Sequence, residues 1–159
     1  MAVRRTRGFT LVELLLTVAL GGALLLVALP AVNAFLTAAR LQQAAGELVG
    51  TIRELEQRAV VEERAYCIEF IYSVDHVNDG YLIREVGEDG FLAPGGRFRP
   101  LPRGVRINYH RLQPTQRLLW LYPTGSPSSG ANISLETSTK KCLSVRVLGA
   151  TGRVRVVKE

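Results

Sequence analysis

The sequence predicts an α+β protein in which a long N-terminal helix packs against a C-terminal antiparallel β-sandwich or rolled sheet. Three observations support this class. An apolar run extends from Phe9 to Leu29, a helical repeat of apolar residues continues to about residue 63, and short β-rich segments separated by turn residues fill the rest. The 159 residues therefore divide into four predicted segments: 1–8, 9–32, 33–64 and 65–159.

The apolar run is long enough to cross a bilayer as a helix. It contains 21 residues, and its only polar side chains belong to Thr10, Glu13 and Thr17, whereas roughly 20 apolar residues span the hydrocarbon core. Residues 1–8 contain three arginines and no acid, so the positive-inside tendency places the N-terminus in the cytoplasm. An ionised carboxylate is costly one turn inside such a run, which makes Glu13 a functional candidate.

Two other kinds of segment share these features in part. A secretory signal peptide has a small-residue cleavage site after its apolar region, whereas Gly8 precedes this one and the helical pattern continues through residues 28–34. A plain signal anchor explains the apolar run, but it does not explain Glu13 or the junction between Gly8 and Phe9.

The helix is predicted to continue past the apolar run, from Phe9 to about Glu63. Pro30 lacks a backbone N–H and its ring crowds the preceding turn, so we expect a bend or local melting there. Beyond it, apolar residues recur with helical spacing and are interpreted as a stripe packed on the core. The stripe comprises Phe35, Ala38 or Ala39, Ala45, Leu48 or Val49, Ile52, Leu55 and Ala59.

From Ala65 the composition becomes typical of β-strands. The first two strands are predicted to form a hairpin with a long loop, residues 87–90 a turn, and residues 93–104 an irregular connection rich in Gly and Pro. The predicted strands are Cys67–Tyr72, Tyr81–Val86, Val105–Tyr109, Arg117–Tyr122, Ile133–Glu136, Leu143–Leu148 and Arg153–Val157.

The polar residues give little support to catalysis or to a metal or cofactor site. His76 and His110 lack the context of a nucleophile, and residues 125–130 lack the lysine and the following helix of a phosphate cradle. Two cysteines, Cys67 and Cys142, are predicted to lie in an oxidising compartment. A disulfide between them would stabilise the fold by about 4 kcal/mol, and two buried free thiols are the open alternative.

Basic residues concentrate in the C-terminal part of the chain. The chain has a net charge of +6, and residues 65–159 contain thirteen Lys or Arg against eight Asp or Glu. Alternation places Arg153 and Arg155 on one strand face. These two arginines, together with Arg146 and Lys158 elsewhere in the C-terminal segment, are candidates for gripping DNA phosphates. The ordinary alternative is an edge strand that carries arginines to discourage strand pairing.

The sequence Gly-Phe-Thr-Leu-Val-Glu at residues 8–13, after a short basic segment, resembles the class III signal of type IV pilins and pseudopilins. The resemblance implies that residues 1–8 are a leader, cleaved between Gly8 and Phe9 by a prepilin peptidase on the cytoplasmic side. It implies methylation of the new Phe9 amine, and a Glu13 that receives this amine from a neighbouring subunit during assembly. Pro30 is where such pilins also carry a proline.

Three further segments resemble the GspH/FimT branch of minor pilins: residues 122–126, the glycine-bearing loop before Ile133, and the Gly-Arg-Val-Arg sequence at 152–155. The resemblance implies a structural and assembly subunit of a type II secretion pseudopilus or a type IV pilus, and not an enzyme. An alternative within the same branch is a DNA-binding minor pilin of a DNA-uptake pilus, which would use the basic C-terminal strand.

The same resemblance implies the partners and the location of the chain. The implied partners are other pilin or pseudopilin subunits, the prepilin peptidase, an inner-membrane assembly platform, the bilayer around residues 9–29, and in the alternative DNA. The expected location is the bacterial inner membrane, crossed once, with the N-terminus cytoplasmic and the head periplasmic or extracellular. From there the subunit enters the pilus or pseudopilus.

Overall fold

The computed structural model describes residues 10–72, 79–87, 89–108 and 117–158. Within them the chain forms one helix, α1 (Leu11–Glu62), and then eight strands. The strands are β1 (Tyr66–Ile71), β2 (Gly80–Glu85), β3 (Arg97–Pro100), β4 (Val105–Ile107), β5 (Leu118–Leu121), β6 (Ala131–Thr137), β7 (Cys142–Val147) and β8 (Val154–Lys158). By compactness the chain divides into two units, residues 1–36 and 37–159.

The first unit contains the apolar part of α1. Its large apolar side chains that the structure describes are exposed, from Leu11 at 75% to Phe35 at 73%. By length and composition α1 could cross a membrane, with a mean hydropathy of 2.4 over its most apolar window. The helix is continuous through Pro30, so the local melting considered from the sequence does not occur there, and the bend stays a prediction.

The second unit is built around the remainder of α1. Buried residues of the helix recur at spacings of three and four, as the sequence predicted, and form one cluster with both sheets. The prediction was wrong at its first two positions: Phe35 is exposed, Ala38 is only half-buried and Ala39 is exposed, so the buried stripe starts at Leu41. The helical members of the cluster are Leu41, Ala44, Ala45, Leu48, Ile52, Leu55 and Ala59.

Two antiparallel four-stranded sheets complete the second unit and confirm the predicted fold class. The first has the order β3-β2-β1-β5 and the second the order β4-β6-β7-β8. Tyr66, Ile68 and Phe70 of β1 alternate toward the core. Thr51 of α1 and Tyr81 of β2 share a buried hydrogen bond of 3.2 Å between their hydroxyl oxygens, which fixes the helix against the first sheet.

Asp79 connects the two sheets. It is 4% exposed and its Oδ2 accepts the backbone N–H of Ile107 at 3.0 Å. In β4, which lies at the end of the order of described strands beside β6, the N–H groups of alternate residues point away from the ladder. The Asp79 carboxylate therefore satisfies a backbone donor on the outer edge of the second sheet, where a buried unpaired group would be costly.

Seven of the eight observed strands match predicted ones to within about two residues at each described end. The hairpin of β1 and β2 is confirmed by its antiparallel register, in which Ile68 pairs with Ile83. The backbone N–H of Gly90 donates to Gly87 at 2.9 Å, which confirms the turn there. Tyr109, part of the predicted strand that begins at Val105, lies outside the described residues.

The irregular connection predicted for residues 93–104 was wrong in part, because it contains β3. Its sequence, Arg-Phe-Arg-Pro, ends in proline and follows two glycines, and such a composition does not predict a strand. Pro100, which has no backbone N–H to donate, is tolerated in this strand because β3 lies at the edge of the first sheet. A Cβ at Gly80 would lie 2.5 Å from the Arg99 carbonyl oxygen, so this close approach of β2 and β3 requires glycine.

Both cysteines are free thiols in the structure. Cys67 is buried in β1 of the first sheet, and Cys142 is partly exposed at the start of β7 in the second. Burial, followed by the charge of Glu69, raises the pKa of the Cys67 thiol to about 12. Both thiols are thus free, but only Cys67 is buried as the free-thiol alternative supposed, because Cys142 is partly exposed.

Candidate assembly site and basic surface

The N-terminus of α1 is closed by a reciprocal capping box. The Glu13 Oε2 atom accepts from the backbone N–H of Thr10 at 3.0 Å and from the Thr10 hydroxyl at 3.1 Å, and the Glu13 N–H donates to Thr10 Oγ1 at 3.3 Å. In this Thr-x-x-Glu arrangement each side chain accepts a hydrogen bond from the backbone N–H of the other residue. These N–H groups at the start of a helix have no carbonyl partner in a preceding turn. Sequence reasoning assigned Glu13 to assembly and missed this local role, although the spacing was a sufficient signal.

The capping box leaves part of the Glu13 carboxylate for a second partner. Within the described part of the chain, both hydrogen bonds that the carboxylate accepts use Oε2. The Glu13 side chain is exposed, so Oε1 can accept an ammonium group while Thr10 holds the other oxygen. Gly8 and Phe9, the predicted cleavage and methylation positions, lie outside the described residues and stay predictions.

The predicted DNA-contact residues fall into two groups at opposite ends of β8. Arg146 of β7 is the cross-strand partner of Arg155 of β8, and both are exposed. Arg153 is exposed and precedes the first residue of β8, while the buried Val154 faces the core. The structure thus brings these three arginines together at the beginning of the strand.

Lys158 lies at the other end of β8 and on its other face. It pairs with Leu143, three residues from the pairing of Arg155 with Arg146, and residues an odd number apart point to opposite faces. Its neighbours are Lys140 and Lys141. The four predicted contact residues therefore do not form one surface.

Two physical readings of the arginine group remain. Like charges directly opposite each other on a sheet are destabilising, so the pairing of Arg146 with Arg155 is suited to an anionic partner. β8 is also an edge strand, where charged side chains discourage pairing with another chain. DNA contact stays a prediction that rests on these side chains.

Two of the glycine-bearing loops that resemble the GspH/FimT branch meet beside α1. Gly125 and Gly152 both have positive φ, 76° and 64°, and a Cβ at Gly152 would lie 3.3 Å from the Gly125 carbonyl oxygen and from Glu56 Oε1. Burial raises the pKa of the Glu56 carboxyl, opposed by the charge of Arg53. Sequence reasoning did not single out Glu56, because its surroundings come from two distant loops.

Comparison with known proteins supports the resemblance at two levels. Residues 3–29 match a family model described as the prokaryotic N-terminal methylation motif. A comparison with curated proteins by sequence gives no match. Among solved structures, the fold is similar to that of the minor pseudopilin EpsH from the type 2 secretion system of Vibrio cholerae, with a TM-score of 0.57 and 12% identity over 75% of this chain and 97% of that one.

A second solved structure with a similar fold is the type IV minor pilin FimU of Pseudomonas aeruginosa. Its TM-score is 0.58, with 19% identity over 77% of this chain and 92% of that one. At these low identities the structural similarity shows the fold alone. The predicted resemblance is thus confirmed in its two parts: the chain has an N-terminal methylation motif, and it has the fold of a minor pilin or pseudopilin.

Proposed function

We propose that this chain is a minor pilin or pseudopilin, a structural and assembly subunit of a type II secretion pseudopilus or a type IV pilus. One observation carries the proposal: the methylation motif opens directly into a capped, apolar helix that continues into a minor-pilin fold. The motif supplies the processing signal, the apolar helix supplies the membrane segment, and the head supplies the surface that other subunits contact.

Glu13 has the central role in the proposed assembly. Removal of residues 1–8 leaves a positively charged amine on Phe9, and the Glu13 carboxylate of a neighbouring subunit pairs with it through Oε1. Each charge alone is costly in an apolar medium, and losing one partner of a buried pair typically costs about 3–5 kcal/mol. The pairing therefore sets the register between adjacent subunits.

Before assembly the subunit is proposed to wait in the bacterial inner membrane. The apolar part of α1 spans the bilayer once, the N-terminus faces the cytoplasm, and the head lies outside the membrane. The prepilin peptidase and an assembly platform act on it there. Other pilin or pseudopilin subunits are its partners in the filament.

Fractionation of the native host tests this proposal. We expect the chain in the sheared filament fraction of a host with an active prepilin peptidase. In a matched host with an inactive peptidase, we expect it only in the membrane fraction. Equal recovery of the chain from filaments of both hosts, or its absence from filaments and membranes alike, would contradict the proposal.

Loss of the gene then separates the two filament systems. Loss of exported enzymes from the medium, with surface pili unchanged, assigns the subunit to a secretion pseudopilus. Loss of surface pili with unchanged secretion assigns it to a type IV pilus. Either result is compatible with the fold, since both kinds of subunit share it.

A further inference from the structure

A cleft of about 320 Å³ lies between α1 and the β3 edge of the first sheet. One of its walls is the part of α1 that contains Glu54 and Arg58, and the other contains Arg97 and Arg99 of β3. Residues 93–96, which precede β3, complete this second wall. All of the lining residues belong to the second unit, so the cleft is formed within that unit alone.

The two arginines of β3 lie on the side of the first sheet that faces α1. Arg99 is the cross-strand partner of Tyr81, and Arg97 is that of Ile83, and paired residues share a face of the sheet. Tyr81 is buried and hydrogen-bonded to Thr51 of α1, which identifies the face. Residues two apart on a strand are separated by about 7 Å, so the two arginine side chains start next to each other.

The Arg99 side chain carries an unsatisfied donor inside the protein. Its Nε atom is buried and has no hydrogen-bond partner in the described part of the chain. A buried donor without an acceptor is unfavourable. The edge of a guanidinium group that contains Nε–H and one Nη–H matches the two oxygens of a carboxylate. The cleft therefore contains a donor suited to an acceptor that the described residues do not supply.

The third arginine of the lining, Arg58, already has partners. Its Nε atom forms an ion pair of 2.9 Å with Glu62 Oε1. Glu54 lies four residues before it on α1, a favourable helical spacing for opposite charges. Among the described residues, by contrast, no ion pair joins Arg97 or Arg99 to a carboxylate. The charges of the two β3 arginines are therefore available to a ligand.

The charge balance of the lining favours a ligand with a single negative charge. The described lining contains three arginines and two glutamates, Glu54 and Glu85, and thus has an excess of one positive charge. One carboxylate neutralises this excess. A phosphate dianion or a DNA backbone would bring further negative charge against the two glutamates, and such like-charge contacts are costly. The cleft therefore selects a different ligand from the one considered for the arginine group of β8.

We propose that Arg97 and Arg99 bind a carboxylate group in this cleft, with the Arg99 Nε–H as one of its donors. Two sources present this group: a free carboxylate in solution, and an Asp or Glu side chain of a neighbouring subunit in the filament. The second source rests on the proposed function, whereas the site itself does not.

Binding is measured on the full-length chain in detergent micelles, with its glycines isotopically labelled. The backbone amide resonances of Gly95 and Gly96, which line the cleft, are followed by NMR while sodium acetate replaces sodium chloride. Neutral pH and constant ionic strength keep other charge effects unchanged. Gly125 and Gly152 lie outside the lining, and their resonances report whether the fold is intact.

Three variants separate the site from general surface charge. Arg99→Lys keeps the charge but removes the planar pair of donors, and Arg97→Gln removes one of the two cations. Arg103→Gln is the control matched to Arg97→Gln, because Arg103 is also exposed but lies outside the lining. We expect acetate to shift Gly95 and Gly96 saturably in the native chain and in Arg103→Gln. The apparent Kd should be at least threefold higher in Arg97→Gln and Arg99→Lys.

A shift that does not saturate with acetate, or an unchanged Kd in both Arg97→Gln and Arg99→Lys, would overturn the proposal. Tighter binding of inorganic phosphate than of acetate would overturn the assignment to a carboxylate. If Gly125 and Gly152 show that one variant is unfolded, the other variant and the titration of the native chain still give a decisive result.

The source of the carboxylate is tested in sheared filaments of the native host. A water-soluble carbodiimide joins a lysine amine to a carboxylate in contact with it, so filaments that contain Arg99→Lys are treated beside filaments that contain the control Arg103→Lys. A crosslink from position 99 to another chain, absent from the control, assigns the carboxylate to a neighbouring subunit. Saturable acetate binding without this crosslink assigns it to a free carboxylate.

The two experiments also separate this proposal from the proposed function. Absence of the native chain from filaments and membranes contradicts the proposed function, and the acetate titration in micelles still tests the site. Recovery of the native chain in filaments, together with failure of acetate to bind, contradicts only the carboxylate site.

Discussion

Glu13→Ala is expected to reduce recovery of the chain in sheared filaments at least tenfold while leaving membrane insertion and leader cleavage unchanged. The amine of a neighbouring Phe9 loses its partner in an apolar medium, at a cost of about 3–5 kcal/mol. The alanine restores apolar character to the segment, so insertion is not impaired. Recovery is measured by quantitative immunoblotting of filament and membrane fractions.

The capping box supplies a control that separates the two roles of Glu13. Glu13→Gln keeps a side chain that can complete the box but removes the negative charge. Thr10→Ala removes the other half of the box and keeps the charge, at a cost of about 1 kcal/mol to the helix terminus. We expect Glu13→Gln to fail in assembly as Glu13→Ala does, and Thr10→Ala to assemble almost normally.

Normal recovery of Glu13→Gln in filaments, together with failure of Thr10→Ala to assemble, would show that Glu13 acts only as a helix cap. Failure of all three variants at the stage of membrane insertion would instead place their defect before assembly.

Phe70→Ala is expected to lower the free energy of unfolding of the head by about 3–5 kcal/mol, the cost of removing a fully buried Phe side chain. Phe70 is 0% exposed in the cluster that joins α1 to both sheets. Small domains have total stabilities of about 5–15 kcal/mol, so this one change would remove much of the total.

Phe91→Ala is the matched control, because Phe91 is 74% exposed and its removal should cost little. Unfolding by denaturant is followed in detergent through the fluorescence of Trp120, the single tryptophan of the chain, which lies in β5 of the first sheet. Similar midpoints for the two variants would show that Phe70 does not belong to the cooperative core of the head.

The features that sequence predicts well here are those with a strong local period or motif. The stripe from Ala45 to Ala59 follows from the 3.6-residue repeat, and most strands follow from β-branched residues between turns. The resemblance carried by residues 8–13 depends on a few neighbouring residues. None of these features requires knowledge of the tertiary fold.

The features that sequence missed depend on contacts between distant segments. β3 forms because β2 offers an edge, and its own composition opposes a strand. Glu63 occupies the left-handed position after the helix with φ of 54°, while the Arg64 N–H donates to the Ala59 carbonyl at 3.2 Å. The helix end itself was predicted to within about one residue; the sequence missed only this closure, because the left-handed position is usually occupied by glycine.

The basic residues show most clearly that the sequence alone does not predict which distant segments lie side by side. On the sequence alone, Lys158 belonged with Arg153 and Arg155 as one phosphate-binding tail. Strand alternation and the direction of β8 place it instead beside Lys140 and Lys141. A charge total thus concealed two separate groups of cations, one at the beginning of β8 and one at its end.

The most direct test of the proposed assembly function is the mass of the N-terminal peptide of the mature chain. The protein is isolated from membranes of its native host and digested with a protease that leaves this peptide intact. We expect a chain that begins at Phe9 and carries one methyl group on its amine. A chain that retains residues 1–8, or one that is cleaved after the apolar run, would contradict the proposed function.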